Sequence, residues 1–496
     1  MPGPSASRLA CWEKLGLAAL LAATFAAHAA LRIEGFGEQD AARLCNDAFI
    51  WHRTGRLRIE LADYRPWTSP LALHALKTAF DAGLGIRSVP AVVNWLNVLA
   101  TPLALLALYL AARRLAGPAA AMAGCVLYAL VPSFWVAGLY GMPHLPSFAA
   151  FLFALLAFRR SLWARGRSYV AWVGVSGALL AVAAVLKADV VLLGGAFLGV
   201  MLCARRTTWG HVAAAAAVGL VAGLATLFYA KAIQPPEASL ARVGADLGER
   251  LPLRLWGLVS QGNRRITVSA FGPVLFWASA GGLVCCLASR RHLRLALLAL
   301  LWSVPPQVVW GVKFGNSARH MMAPACPLVL LVGVALCFLL RGRRQVALAV
   351  GALAVANFFS TSPRASTVVP STRLVRSAGA IQADAAHWHA AGRAFAELDA
   401  EKKLLLGGAK NAYILYEVLA SARDFRFTGR GHELRVVNDR GEAQLVDWRY
   451  VSRAEARRLA PQLEAQGWHV WSAEYQLRPA NSLLPRGERL WQRRKS

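Results

Sequence analysis

Ile33–Arg53 reads IEGFGEQDAARLCNDAFIWHR and follows almost at once on Leu15–Leu31, LGLAALLAATFAAHAAL. A helix needs about 17–25 apolar residues to span a hydrocarbon layer, and the first run is that long. The polar stretch therefore begins where the chain leaves the lipid, and it carries Glu38, Asp40 and Asp47. Leu44, Ala48 and Trp51 recur at helical spacing. Asp40 and Asp47 stand seven residues apart, so a helix puts both on one face, two turns apart. Beside a lipid surface but outside it, a carboxylate can take a proton from a hydroxyl or an amine. Glu38 and Asp40 also suit a helix's first turn, where the macrodipole favours negative charge.

Working outward, apolar runs of similar length recur as far as about Ser360. The 496 residues are 57% hydrophobic and 16% charged, against about 25% charged in an ordinary soluble domain. The chain reads as a polytopic membrane protein, mainly α, with about eleven spans. A formal charge of +29 would suit nucleic acid. Its placement points elsewhere, because acid-free basic clusters sit at every second connection: Arg113-Arg114, Arg159-Arg160 with Arg165 and Arg167, Arg205-Arg206, Arg290-Arg291 with Arg294, and Arg341 with Arg343-Arg344. That is the positive-inside pattern of cytoplasmic loops, and anionic headgroups attract the same clusters. No nucleic-acid partner is expected. The eight cysteines show no metal-site spacing and read as small hydrophobes.

Met1–Lys14 is then a cytoplasmic head. Leu15–Leu31 reads as a retained span, although Ala27-His28-Ala29 has the look of a signal-peptide cleavage site. Arg32–Ser88 is a first outer loop too long for a plain connector. Within it, Leu71–Phe80 reads as a helix lying in the interface. Spans follow at Val89–Ala112, Ala116–Leu139, Leu145–Phe158, Tyr169–Leu186, Val190–Ala204 and Val212–Ala230. After a second outer loop, Lys231–Ile266, come Thr267–Ala288, Leu295–Val312, Met321–Leu340 and Val346–Ser360. Residues 1–360 thus form the transmembrane part and 361–496 an outer domain. In the latter a Ser/Thr/Pro-rich linker leads into mixed charge. Leu404–Leu406, Asn411–Ser421, Phe425–Phe427, Glu433–Val437, Gln444–Trp448, Arg453–Gly467 and His469–Trp471 read as a small α/β domain.

Three segments carry a resemblance: the acidic loop GEQDAAR (Gly37–Arg43), the helix start LKADVVLL (Leu186–Leu193), and RHMMAPACP (Arg319–Pro327). In that order and on one side of the membrane, they resemble the GT-C glycosyltransferases. The similarity is to the protein-mannosyltransferase and aminoarabinose-transferase-like branch, and it covers most of Leu15–Ser360. It implies inverting transfer of a hexosyl or pentosyl unit from a polyprenyl-phosphate donor to a lipid, glycan or protein acceptor outside the cytoplasm. It makes Asp40 the base, with Glu38 second. Lys187 and Arg319 would hold the donor phosphate, with Arg264 and Arg265 further candidates. Asp47, His144, Asp189 and His320 are possible substrate-binding groups.

Each has a plainer alternative. Lys187 can snorkel or pair with Asp189, and Arg319 can anchor the interface. His144 stands where related enzymes carry an acid, so no metal ligand set is evident. No cofactor is required by this reading, and a divalent metal stays open. A transporter or flippase, or a non-catalytic assembly protein, are the rivals in other classes. Composition suits a bacterial inner membrane, with the N-terminus cytoplasmic and the C-terminal domain outside.

Overall fold

The computed structural model describes residues 10–472, apart from 56, 58–68, 205–207, 234–266, 269, 314–317, 341, 361–373, 409 and 429–432. The second outer loop, Arg205-Arg206, Arg264, Arg265, Arg341 and the linker at 361–373 lie outside the described residues.

The membrane part consists of α1 (Cys11–Ala30), α2 (Gln39–Thr54), α3 (Pro70–Asp81), α4 (Val89–Ala116), α5 (Pro118–Ala129), α6 (Pro132–Leu139), α7 (His144–Ser161), α8 (Gly166–Leu186), α9 (Gly195–Ala204), α10 (Trp209–Ile233), α11 (Pro273–Ala288), α12 (Leu293–Lys313), α13 (Met322–Leu339) and α14 (Arg343–Ser360). Helices 86–116, α8, most of α10 and α13 are long and apolar enough to cross a bilayer, and α5 with α6 makes a fifth if the bent pair is one span. This is a multi-pass membrane protein. The large exposed side chains of α10, among them Leu220, Leu227 and Phe228, fit lipid rather than water.

The eleven-span expectation is not matched by that count. Proline and break points shorten several segments. Ala116–Leu139 divides at Val131-Pro132, where α5 and α6 meet at 58°, because proline cannot donate to the preceding turn. Val190–Ala204 begins as a 3-10 turn, Ala188–Gly194, leaving only ten residues in α9. Pro273–Ala288, Leu293–Val309 and Ala188–Ala204 remain as shorter apolar helices.

Inside the bundle, aromatic side chains of α5, α6, α7, α9 and α12 interlock. Phe151 meets Trp302 at 5.4 Å, and Phe158 meets Phe197 at 5.1 Å. Backbones approach closely where side chains are small. A Cβ on Gly333 of α13 would lie 2.4 Å from the Ala120 carbonyl of α5.

Described basic clusters gather at one end. Arg113 pairs with Glu13 at 2.7 Å, Arg159 donates to the Arg114 carbonyl at 3.2 Å, and Arg343 lies over Trp12.

At the other end sits the C-terminal unit: α15 (Leu374–Ala396), β1 (Lys402–Gly407), α16 (Asn411–Ser421), β2 (Ala422–Phe427), β3 (Leu434–Asn438), β4 (Ala443–Tyr450), α17 (Arg453–Ala465) and β5 (His469–Trp471). The sheet order is β2-β3-β4-β1-β5, antiparallel from β2 to β4 and parallel around β1. A parallel strand is covered on both faces, which is why Leu404-Leu405-Leu406 is an unbroken apolar run. Leu404 and Leu406 face α17, while Leu405 faces the core shared with α15 and α16. Ser452 caps α17 by accepting from the Glu455 amide at 3.2 Å. The 23-residue α15 was not expected from the mixed-charge reading of that region.

Nor does this unit stand off on its linker, since its core is continuous with the first loop. Ala412, Tyr413 and Phe425 share a cluster with Phe36, Ala48 and Phe80 of the segment before α4. Asn46 donates to the Ala412 carbonyl at 2.9 Å, and the Tyr416 hydroxyl donates to the Ile86 carbonyl at 3.2 Å.

Candidate functional site

Helix α8 stops at Lys187, whose backbone is extended while its N–H still bonds the Ala183 carbonyl. Two charges in three residues end the apolar run, and the chain turns through the 3-10 segment before α9. Lys187 is only 7% exposed, and its Nζ lies 3.5 Å from Asp189 Oδ2. His320, in the 3-10 turn Ala318–Met321 before α13, brings Nδ1 to 3.6 Å from the same oxygen. The edge of the His144 ring meets His320 at 5.7 Å. One turn beyond His144, Ser147 donates to the Ala183 carbonyl at 2.7 Å, fixing the start of α7 against the end of α8.

His144, Ser147, Lys187, Asp189, Pro306 and His320 line one pocket. Through Val190 it adjoins a wholly apolar groove among α8, α9 and α10, walled by Leu180, Val191, Phe197, Leu198 and Val212. A buried ammonium can meet an anionic head in the first, and hydrocarbon fits the second. Sequence reasoning put Lys187 beside Asp189 and named His144 and His320 separately, and the fold brings the four together. Arg319 is next to His320 in the same turn, its side chain outside the described residues.

Glu38 and Asp40 are not among the residues lining this pocket. Glu38 is the N-cap position of α2, and Asp40 is in its first turn, 3.6 Å from Arg43. The plain helix-terminus role is therefore also met. The lead-in to α2 lies against the turn that runs into His144. A Cβ on Gly37 would be 3.2 Å from Tyr140 Cα, and one on Gly141 would be 3.9 Å from Ala41 Cβ. Those few residues, Tyr140 to His144, connect the acids to the pocket.

Asp47 is different: it is 3% exposed, and its Oδ1 has no hydrogen-bond partner among the described residues. Burial pushes its carboxyl up to about 8, with Arg43 pulling the other way. Such a group keeps its proton at neutral pH, which separates it from Asp40 as a candidate base.

Sequence reasoning missed Asn94, which donates to the carbonyls of Ile33 and Gly35 at 2.8 and 2.9 Å. A pair of asparagines in the apolar run VPAVVNWLNV (Val89–Val98) was the available signal. It also missed Tyr413, a buried phenol that neighbouring Glu38 and Asp40 help to keep protonated, after burial itself.

Residues 84–229 match the model of a family described as dolichyl-phosphate-mannose-protein mannosyltransferase. No curated protein matches the chain. Among solved structures, ArnT from Cupriavidus metallidurans bound to undecaprenyl phosphate is 17% identical. That match covers 82% of this chain and 84% of ArnT at a TM-score of 0.52. The archaeal oligosaccharyltransferase AglB from Archaeoglobus fulgidus, in complex with an inhibitory peptide and a dolichol-phosphate, is 13% identical. Here 83% of this chain and 64% of AglB are covered, again at 0.52. The fold is the GT-C fold. Within it, the family match spans α4 to most of α10 and so takes in His144, Lys187 and Asp189. Glu38, Asp40, Arg319 and His320 fall outside that match.

Proposed function

We propose that the chain is a membrane glycosyltransferase that moves a hexosyl or pentosyl unit from a polyprenyl-phosphate donor to an acceptor outside the cytoplasm, with inversion. The observation that carries this is the buried Lys187 in a polar pocket directly beside an apolar groove, which suits an amphiphile with an anionic head. The undecaprenyl phosphate on ArnT and the dolichol-phosphate on AglB support the same ligand class.

In this reading Asp40, with Glu38 as second choice, removes the proton from the acceptor hydroxyl or amine. The freed lone pair attacks the anomeric carbon from the side opposite the phosphate. The carbon–oxygen bond to phosphate breaks, and its electron pair leaves on the phosphate. Lys187 and Arg319 hold that growing charge, an interaction worth more in a partly dry pocket than in water. His144, Asp189 and His320 orient the head group.

By the positive-inside rule the basic end faces the cytoplasm, and residues 361–496 lie outside with the first loop. Residues 1–360 are then the catalytic domain. Transfer from a radiolabelled polyprenyl-phosphate sugar, compared between wild type and Asp40→Asn, tests the mechanism. The variant is expected to lose about 10²–10⁴-fold in turnover. Equal turnover would remove Asp40 from it.

A further inference from the structure

The loop Ile33–Gly37 leads into α2, and two distant parts of the chain grip it. From α4, Asn94 holds the Ile33 and Gly35 carbonyls. From α15, Gln382 bonds both the amide and the carbonyl of Glu34, at 2.6 and 3.3 Å. One side chain reaches further in. His389, buried on α15, accepts the Phe36 N–H at its Nε2, 3.4 Å away, and its Nδ1 lies 2.7 Å from Glu417 Oε1.

An imidazole that accepts at Nε2 carries its proton on Nδ1, so Glu417 fixes the tautomer that the Phe36 amide needs. Glu417 is itself buried, with Arg393 at 3.6 Å and Arg87 at 3.8 Å. The rings of Tyr413 and Tyr416 wall the imidazole, each centred 5.4 Å away. The fit leaves no slack. Gly35 has φ +84°, and a Cβ there would lie 2.8 Å from Nε2.

We propose that His389 is a positioning residue: through the Phe36 amide, the C-terminal unit sets the start of α2 and so the place of Asp40, four residues on. The catalytic half of this rests on the glycosyltransferase reading; the clamp itself does not. The C-terminal unit then has a role in the reaction without contributing a group that touches substrate.

The test compares wild type with His389→Leu, His389→Gln and Glu417→Met, reading donor KM, kcat and amide hydrogen exchange at Phe36 and Gly37. His389→Leu is expected to lower kcat by about 10²-fold at unchanged donor KM, the scale of a misplacement near 1 Å. It should also speed exchange at Phe36. Glutamine keeps an acceptor and is expected to restore most of both.

A kcat within twofold of wild type in His389→Leu, or a loss that follows donor KM and is not restored by glutamine, would overturn the proposal. Should His389→Leu fail to fold, Glu417→Met still decides: it keeps much of the bulk but removes the oxygen that accepts the Nδ1 proton. Exchange at Phe36 should rise several-fold, and unchanged exchange overturns the clamp. Absence of any glycosyl transfer in wild type would instead defeat the transferase reading and leave the exchange comparison standing.

Discussion

Asp47 offers a test that needs no substrate. Its carboxyl rises from the ordinary 3.8 to about 8 because it is buried on α2, and its Oδ1 has no hydrogen-bond partner among the described residues. Below about pH 4 the folded and unfolded chains both hold the proton, and the site adds no pH-dependent cost. Between about 4 and 8 the folded state keeps it while the unfolded state releases it, so stability falls as pH rises. Above about 8 both have lost it and the loss is complete. A shift of about four units corresponds to about 5 kcal/mol at 1.36 kcal/mol each. Asp47→Asn keeps the shape and cannot ionise.

Thermal unfolding in detergent at pH 5 and pH 9 should therefore show wild type losing on the order of 5 °C more than the variant. The variant's advantage should grow as pH rises from about 4 to about 8 and then level off. Other titrating groups are common to both proteins and cancel in the comparison. Parallel pH curves would mean that Asp47 is solvated or paired in the folded protein and that its carboxyl is not raised.

Lys187→Met removes the cation of the polar pocket and is expected to cut donor kcat/KM by about 10²–10³-fold, with Lys187→Arg retaining more; transfer kinetics over donor concentration would check it. Gly333→Val forces a side chain into the Ala120 carbonyl and should destabilise by about 1–3 kcal/mol, read as a lower midpoint of unfolding in detergent. Ser452→Ala removes the α17 cap and should cost about 1 kcal/mol, visible as faster hydrogen exchange in the first turn of α17.

Much of the architecture was legible in advance. Spans declare themselves because moving twenty apolar side chains out of water outweighs any other local preference. Likewise, β1, α16 and α17 lie where the Leu404–Leu406 run and the Arg453–Gly467 pattern put them. Helix α2 followed from its spacing, and α3 covers the Leu71–Phe80 segment read as an interfacial helix. By contrast, α15 is alanine-rich with scattered charges, and only its packing on α16 and the first loop makes it a firm element. The bend between α5 and α6 was not legible in advance: Ala116–Leu139 reads as one span, and the two helices meet at 58° at Pro132.

By itself, then, the sequence determined that the chain crosses a membrane repeatedly, that its basic residues collect at one end, and that a small α/β unit closes it. Spans follow from side-chain transfer and helices from hydrogen bonds between residues a few positions apart; the strands show in their apolar runs, although their ladders join residues tens of positions apart. What came only from the tertiary structure is that His144 and His320 join Lys187 and Asp189 in one pocket, and that His389 reaches Phe36. Residues separated by 130 to 350 positions meet through the packing of several helices at once, and no local periodicity records which faces will touch.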